Sequence, residues 1–174
     1  MKNKKKYILG VIAFLVLLGL DQWTKWLAIT SLKPHGEFPL WEGVFVLQYL
    51  ENRGAAFGML QNQRVFLLIL TSIILIGLIL LFIKLPEGKK FGYLRILCVV
   101  LAAGAVGNMI DRFFRGFVVD FLYFKLIDFP IFNVADCYVV IAAIVAALLI
   151  GFYYSEEDLT FFRLRGKEDG RGSL

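Results

Sequence analysis

Hydrophobic and polar positions along the 174-residue chain alternate on a long scale: four apolar stretches, each long enough for a membrane-spanning helix, separated by polar connections. The plainest runs over residues 65–83 and holds no charged residue. The first, 8–28, follows a basic head, which is how a cleavable secretory signal begins. No small-x-small cleavage site follows Leu20, however, and the helical pattern continues through Asp21, Trp23, Lys25 and Trp26, so this segment is read as an uncleaved first helix. The third covers 91–112, with Arg95 near its start able to snorkel toward headgroups. The fourth covers 136–154.

Between these spans, residues 30–63 and 113–135 are too long for simple hairpin linkers, where about 2–8 residues suffice. They should carry structure. Val44 to Leu50 is rich in strand formers, and Glu51, Asn52, Arg53, Gly54 and Gly58 mark a turn after it. Residues 113–132 are aromatic and amphipathic and are expected to lie in the interface before Pro130 leads into the last helix. The predicted class is therefore an all-α polytopic membrane protein, a single domain of four transmembrane helices, with a small extracytoplasmic β-sheet and a short amphipathic interfacial helix. The connection 84–90 is short, and the tail 155–174 is polar enough to be solvated.

Composition agrees with that class: 59% of residues are hydrophobic and 17 are Phe, against about 45–50% apolar in soluble domains. The net charge of +5 comes from short basic runs flanking apolar stretches, which suits lipid headgroups and not nucleic acid. Of 19 Lys and Arg, twelve lie at Lys2 to Lys6, Lys84 to Arg95 and Arg163 to Arg171. Positive flanks stay cytoplasmic, so both termini and the middle connection are expected there. Cys98 and Cys137 lie in apolar segments and are expected to be free thiols.

Carboxylates near a bilayer are costly. Five of the seven aspartates, Asp21, Asp111, Asp120, Asp128 and Asp136, nevertheless fall at the outer helix ends or in the outer connections. Missing residue types narrow the chemistry further. His35 is the only histidine and reads as a loop residue, so Ser-His or Cys-His pairs and imidazole zinc sites have little to draw on. Phosphate-loop and paired-cysteine motifs are absent, and no metal or cofactor is implied. Acid-base work by two carboxylates remains.

Each acid also has a structural reading. Asp136, three residues after Asn133, suits the far partner of a capping box, a role compatible with chemistry. Asp111 can pair with Arg115, and Asp21 with Lys25, each four residues on. Asp128 fits a solvated turn. Asp120, within Phe117-Val118-Val119-Asp120-Phe121-Leu122, stands alone in apolar surroundings and is hardest to explain structurally. Gly104 and Gly107 give the third helix a small-residue face that would bring Asn108 and Asp111 against a neighbour. A proton-coupled carrier and a non-catalytic scaffold are the rival readings.

Five motifs in order resemble the lipoprotein signal peptidase (signal peptidase II) family: Asp21-Gln22-Trp23-Thr24-Lys25, Asn52 through Gly58, Gly104 through Arg112, Val118-Val119-Asp120-Phe121 and Phe132 through Asp136. The resemblance implies a membrane aspartyl endopeptidase of the bacterial cytoplasmic membrane, with Asp120 and Asp136 as its catalytic pair. The implied substrate is a prolipoprotein whose cysteine bears a diacylglyceryl group, cut on the amino side of that cysteine. Asp21, Lys25, Asn52, Gly54, Gly104, Asn108, Asp111, Arg112, Asn133 and Ala135 match positions that support the site or contact substrate. The family's small β-cradle and amphipathic periplasmic helix are expected in the outer connections, and the protein is expected to be a monomer among lipids. Arg53 and Cys137 depart from residues common in the family.

Overall fold

The computed structural model describes residues 2–55 and 59–159. The Ala56, Phe57 and Gly58 portion of the second motif and the basic positions Arg163 to Arg171 lie outside these residues. Among the described residues, four helices are long and apolar enough to cross a membrane: α1 (Lys2–Leu27), α2 (Arg64–Lys84), α3 (Gly92–Phe114) and α4 (Val134–Phe152). Helix α2 has no ionisable residue between its end residues Arg64 and Lys84. Its side chains Ile69, Ile73, Ile76, Ile79 and Ile83 face outward, as a lipid-facing span requires.

Helix α3 is the hub. Its buried residues Leu94, Leu97, Cys98, Ala103, Gly104, Gly107 and Asp111 recur at three- and four-residue spacings, and α1, α2 and α4 all pack on it. The small residues set how closely they come. A Cβ at Gly104 would stand 2.6 Å from the Ala135 carbonyl oxygen of α4, and one at Gly107 would collide with the Asp21 carboxylate of α1. The small-residue face expected from sequence is thus occupied on two sides.

The connections organise opposite ends of the bundle. At one end, Leu85, Leu94, Leu97, Cys98, Ala142 and Tyr154 form an apolar cluster, closed by the Tyr154 hydroxyl donating to the Lys90 carbonyl at 2.7 Å. Arg95 was expected to reach for headgroups; instead its guanidinium donates to the carbonyls of Leu85 (2.7 Å) and Pro86 (2.6 Å) and closes the C-terminal end of α2. Cys98 and Cys137 are free.

At the other end lies an antiparallel three-stranded sheet, ordered β1 (Phe38–Trp41), β2 (Phe45–Asn52) and β3 (Val118–Tyr123). Strands β1 and β2 form a hairpin whose turn places Gly43 at φ +72°. Strand β3 pairs Val118 with Asn52, Val119 with Glu51 and Asp120 with Leu50. The segment expected to be an amphipathic interfacial stretch therefore divides: Gly116, at φ +82°, ends the α3 exit, residues 118–123 join the sheet, and only a single 3-10 turn, Lys125–Ile127, is helical. The β-branched pair Val118-Val119 and the partner strand outweigh the amphipathic pattern. Helix α1 itself continues as a π-helical stretch, Ala28–Leu32, and one further turn, Lys33–His35. Ala28 and Leu32 pack there on Val119 and Phe121, joining the first span to the sheet.

Candidate active site

The sheet end of the bundle gathers all twelve residues singled out in the sequence. Asn133 caps α4: its side-chain oxygen accepts from the Asp136 backbone N–H at 3.0 Å, and its own N–H donates to Asp136 Oδ2 at 3.1 Å. That is the capping box read from the sequence. The Asn133 amide NH2 is then free to donate elsewhere, and it reaches Asp120 Oδ1 at 2.6 Å. One asparagine thus ties the two acids together.

Each acid has a second donor. Asn108 Nδ2 donates to Asp136 Oδ1 at 2.8 Å, and Asn52 Nδ2 donates to Asp120 Oδ2 at 2.9 Å. Asn52 can present only its NH2, because its oxygen accepts from the Gly54 N–H at 2.9 Å. Gly54 is in turn fixed by Arg112, which donates to its carbonyl at 2.9 Å. A side chain at Gly54 would strike the Met59 carbonyl. Behind this layer lie Asp21, Lys25 and Asp111, each fully buried. Lys25 Nζ lies 3.0 Å from Asp21 Oδ2 and 3.2 Å from Asp111 Oδ2 and donates to Asn108 Oδ1 at 2.9 Å. Asp21 Oδ1 accepts from the Ala135 N–H at 3.0 Å, a contact that the close approach at Gly104 and Gly107 allows. Asp111 pairs with Arg115 and accepts from the Val119 N–H at 3.1 Å, setting the start of β3.

Both expected i,i+4 ion pairs are therefore present, but neither is an exposed local pair. Among the described residues no buried side-chain nitrogen or oxygen lacks a partner. Asp120 is 1% exposed. Burial, and then the charge of Asp136, raise its pKa to about 7 against the donations from Asn52 and Asn133. Asp128 is exposed, left-handed at φ 50° and bonded to the Tyr123 hydroxyl, the solvated turn acid expected. His35 is likewise exposed, with its Nδ1 2.9 Å from the Ser31 carbonyl oxygen.

Asp120 and Asp136 line a cavity of about 770 Å³ together with Asn52, Asn108 and Arg112. Glu51 and Gln61 also line it, and the wall beside Asp136 is apolar, built from Phe129, Pro130 and Ile131 before α4 and Val139, Val140 and Ile141 on it. Val140 and Ile141 are more than half exposed on the outer face of the helix. A polar end with two carboxylates thus adjoins a wall suited to hydrocarbon.

The family model described as signal peptidase (SPase) II matches residues 12–152. The chain belongs to the signal peptidase II family. It is 48% identical over 143 residues to the lipoprotein signal peptidase of Caldanaerobacter subterraneus subsp. tengcongensis, covering 82% of this chain and 94% of that protein. To that of Anoxybacillus flavithermus it is 37% identical, covering 94% and 92%. A solved bacterial membrane enzyme, determined by the in meso method at 2.3 Å resolution, superposes with a TM-score of 0.72 at 33% identity, covering 84% of this chain and 92% of that one.

Several lining residues of this signal peptidase II family member were not singled out in the sequence. Glu51 faces the cavity with its carboxylate held by Lys33 at 2.9 Å and by the Tyr49 hydroxyl at 3.1 Å. Alternation along β2 puts neighbouring side chains on opposite faces, so recognising Asn52 in the sequence did not point to Glu51. The apolar wall was legible only as membrane span, because nothing in a run of Val and Ile says which face adjoins a cavity.

Proposed function

We propose that the protein is an aspartic endopeptidase that removes the signal peptide from prolipoproteins carrying a diacylglyceryl cysteine, cutting on the amino side of that cysteine. Membership of the signal peptidase II family supports the peptidase class. The observation that carries the aspartic assignment is the pair of carboxylates joined through Asn133 at the polar end of a cavity with a hydrocarbon wall. The distribution of Lys and Arg supports cytoplasmic termini and a sheet end on the extracytoplasmic side of the bacterial cytoplasmic membrane.

Asp136 sits in the first turn of α4, where its carboxylate takes the Asn108 NH2 and the Asn133 N–H, and it is assigned as the base. Asp120, with a pKa near 7, is the partner that keeps its proton. A water between them gives a proton to Asp136 and attacks the scissile carbonyl. Asp120 then protonates the departing nitrogen as the C–N bond breaks, leaving a carboxylate on the signal peptide and a free amine on the lipidated cysteine. The diacylglyceryl chains would lie against Val139, Val140 and Ile141, with the peptide at the polar end.

The carrier reading loses its footing. The chain falls in a peptidase family, and α2 offers no ionisable group between its ends. Incubation of purified protein with lipidated and unlipidated precursor peptides is the test, and only the lipidated peptide should be cut. Asp120→Asn and Asp136→Asn should each abolish cleavage while the protein still inserts and folds. Activity retained in both variants would end the aspartic assignment.

A further inference from the structure

Lys25 belongs to no step of the mechanism above, yet its ammonium group is fully buried. An ammonium has three N–H donors and no acceptor. All three are taken, by Asp21 on α1, Asp111 on α3 and the Asn108 side-chain oxygen. Two carboxylates already neutralise it, one of them shared with Arg115. The third donor therefore adds nothing to charge balance; it acts on an amide.

An asparagine carboxamide can usually turn over at little cost, because its oxygen and nitrogen are nearly the same size. Asn108 cannot. Turning it would set its NH2 against the fully buried Lys25 ammonium, donor to donor. Asn133 Nδ2, at 3.2 Å from Asn108 Oδ1, opposes the turn as well. With its oxygen committed, Asn108 presents NH2 to Asp136 Oδ1. That group bonds well to a carboxylate and poorly to a protonated acid.

We infer that Lys25 is a positioning residue of the reaction: by holding the Asn108 oxygen it keeps the Asn108 NH2 on Asp136, the acid that serves as the base. The inference rests on the aspartic reading of the site. It differs from a purely structural role for the buried Lys25 cluster in predicting an effect on a group that Lys25 does not touch. The charged groups around this chain of contacts are Asp21 on α1, Asp111, Arg112 and Arg115 at the end of α3, Asp120 on β3 and Asp136 on α4.

The test is the pH dependence of kcat on a lipidated precursor peptide. In Lys25→Met the acidic limb should move up by about one pH unit, a tenfold rise in proton affinity of the base, so that kcat well below the midpoint of the limb falls about tenfold while kcat on the plateau and KM change little. Lys25→Gln, which keeps a neutral donor toward Asn108, should recover part of that shift. In an Asn108→Leu background, Lys25→Met should add no further shift. A wild-type limb in Lys25→Met, or the same shift with Asn108 absent, would overturn the inference. If Lys25→Met does not fold, Asn108→Asp decides: it keeps a partner for Lys25 but turns an oxygen to Asp136. A loss of about a hundredfold in kcat supports the inference, and wild-type kcat overturns it. Failure of the underlying reading looks different, since wild-type protein would then cut no peptide.

Discussion

Asp120 makes a prediction that needs no substrate. Its pKa is about 7 in the folded protein against an ordinary 3.8, so between these values the folded chain holds a proton that the unfolded chain has released. Stability must then fall as pH rises through that window. The slope is at most about 1.4 kcal/mol per pH unit, giving about 2 kcal/mol between pH 5 and 7 and little more above. Asp158, the other carboxylate strongly shifted outside the spans, is pulled down to about 2, so its effect is confined to pH below 4. Thermal unfolding of purified protein in micelles at pH 5, 6, 7 and 8 would read the slope. In Asp120→Asn nothing titrates at that position and the slope should largely vanish, even though the amide fits the donors of Asn52 and Asn133 less well. An undiminished slope in the variant would show that the proton is held elsewhere and that burial does not control Asp120.

Three further changes bear on the site. Gly107→Ala puts a methyl group into the Asp21 carboxylate; displacing Asp21 frees the Ala135 N–H, and cleavage should fall at least about a hundredfold with a clear loss of thermal stability. Asn133→Ala removes both the α4 cap and the Asp120 donor; it should cost about 1 kcal/mol from the cap alone, with a far larger loss in kcat measured on the lipidated peptide. His35→Ala should leave cleavage and its pH profile unchanged, because the ring is exposed and does not line the cavity that holds Asp120 and Asp136; any loss beyond about twofold would reopen histidine chemistry.

What the sequence disclosed follows the range of each interaction. The spans were legible because hydrocarbon thickness fixes their length, and the Asn133–Asp136 cap and the Asp111–Arg115 pair because helix geometry fixes three- and four-residue spacings. Asp120 could be singled out because an acid among Val and Phe is costly anywhere. Contacts across elements were hidden. Nothing near Lys25 announces Asn108, 83 positions on. Strand β3 needs β2 beside it, so 113–132 read as interfacial until its partner was in place. Arg95 looked like a snorkelling side chain because the carbonyls it closes belong to the preceding helix.

The central position of α3 bears on how the chain comes together during synthesis. The first two spans each pack on the third, so the nascent chain must park them in the bilayer as separate helices until the third arrives, as each can on its own hydrophobicity. Asp21 and Lys25 meanwhile have each other and Gln22; Asn108 and Asp111 arrive with the third span, and Ala135 emerges last. Maturation therefore closes from the C-terminal side, and a chain truncated before α4 would be inserted yet unfinished at its functional end.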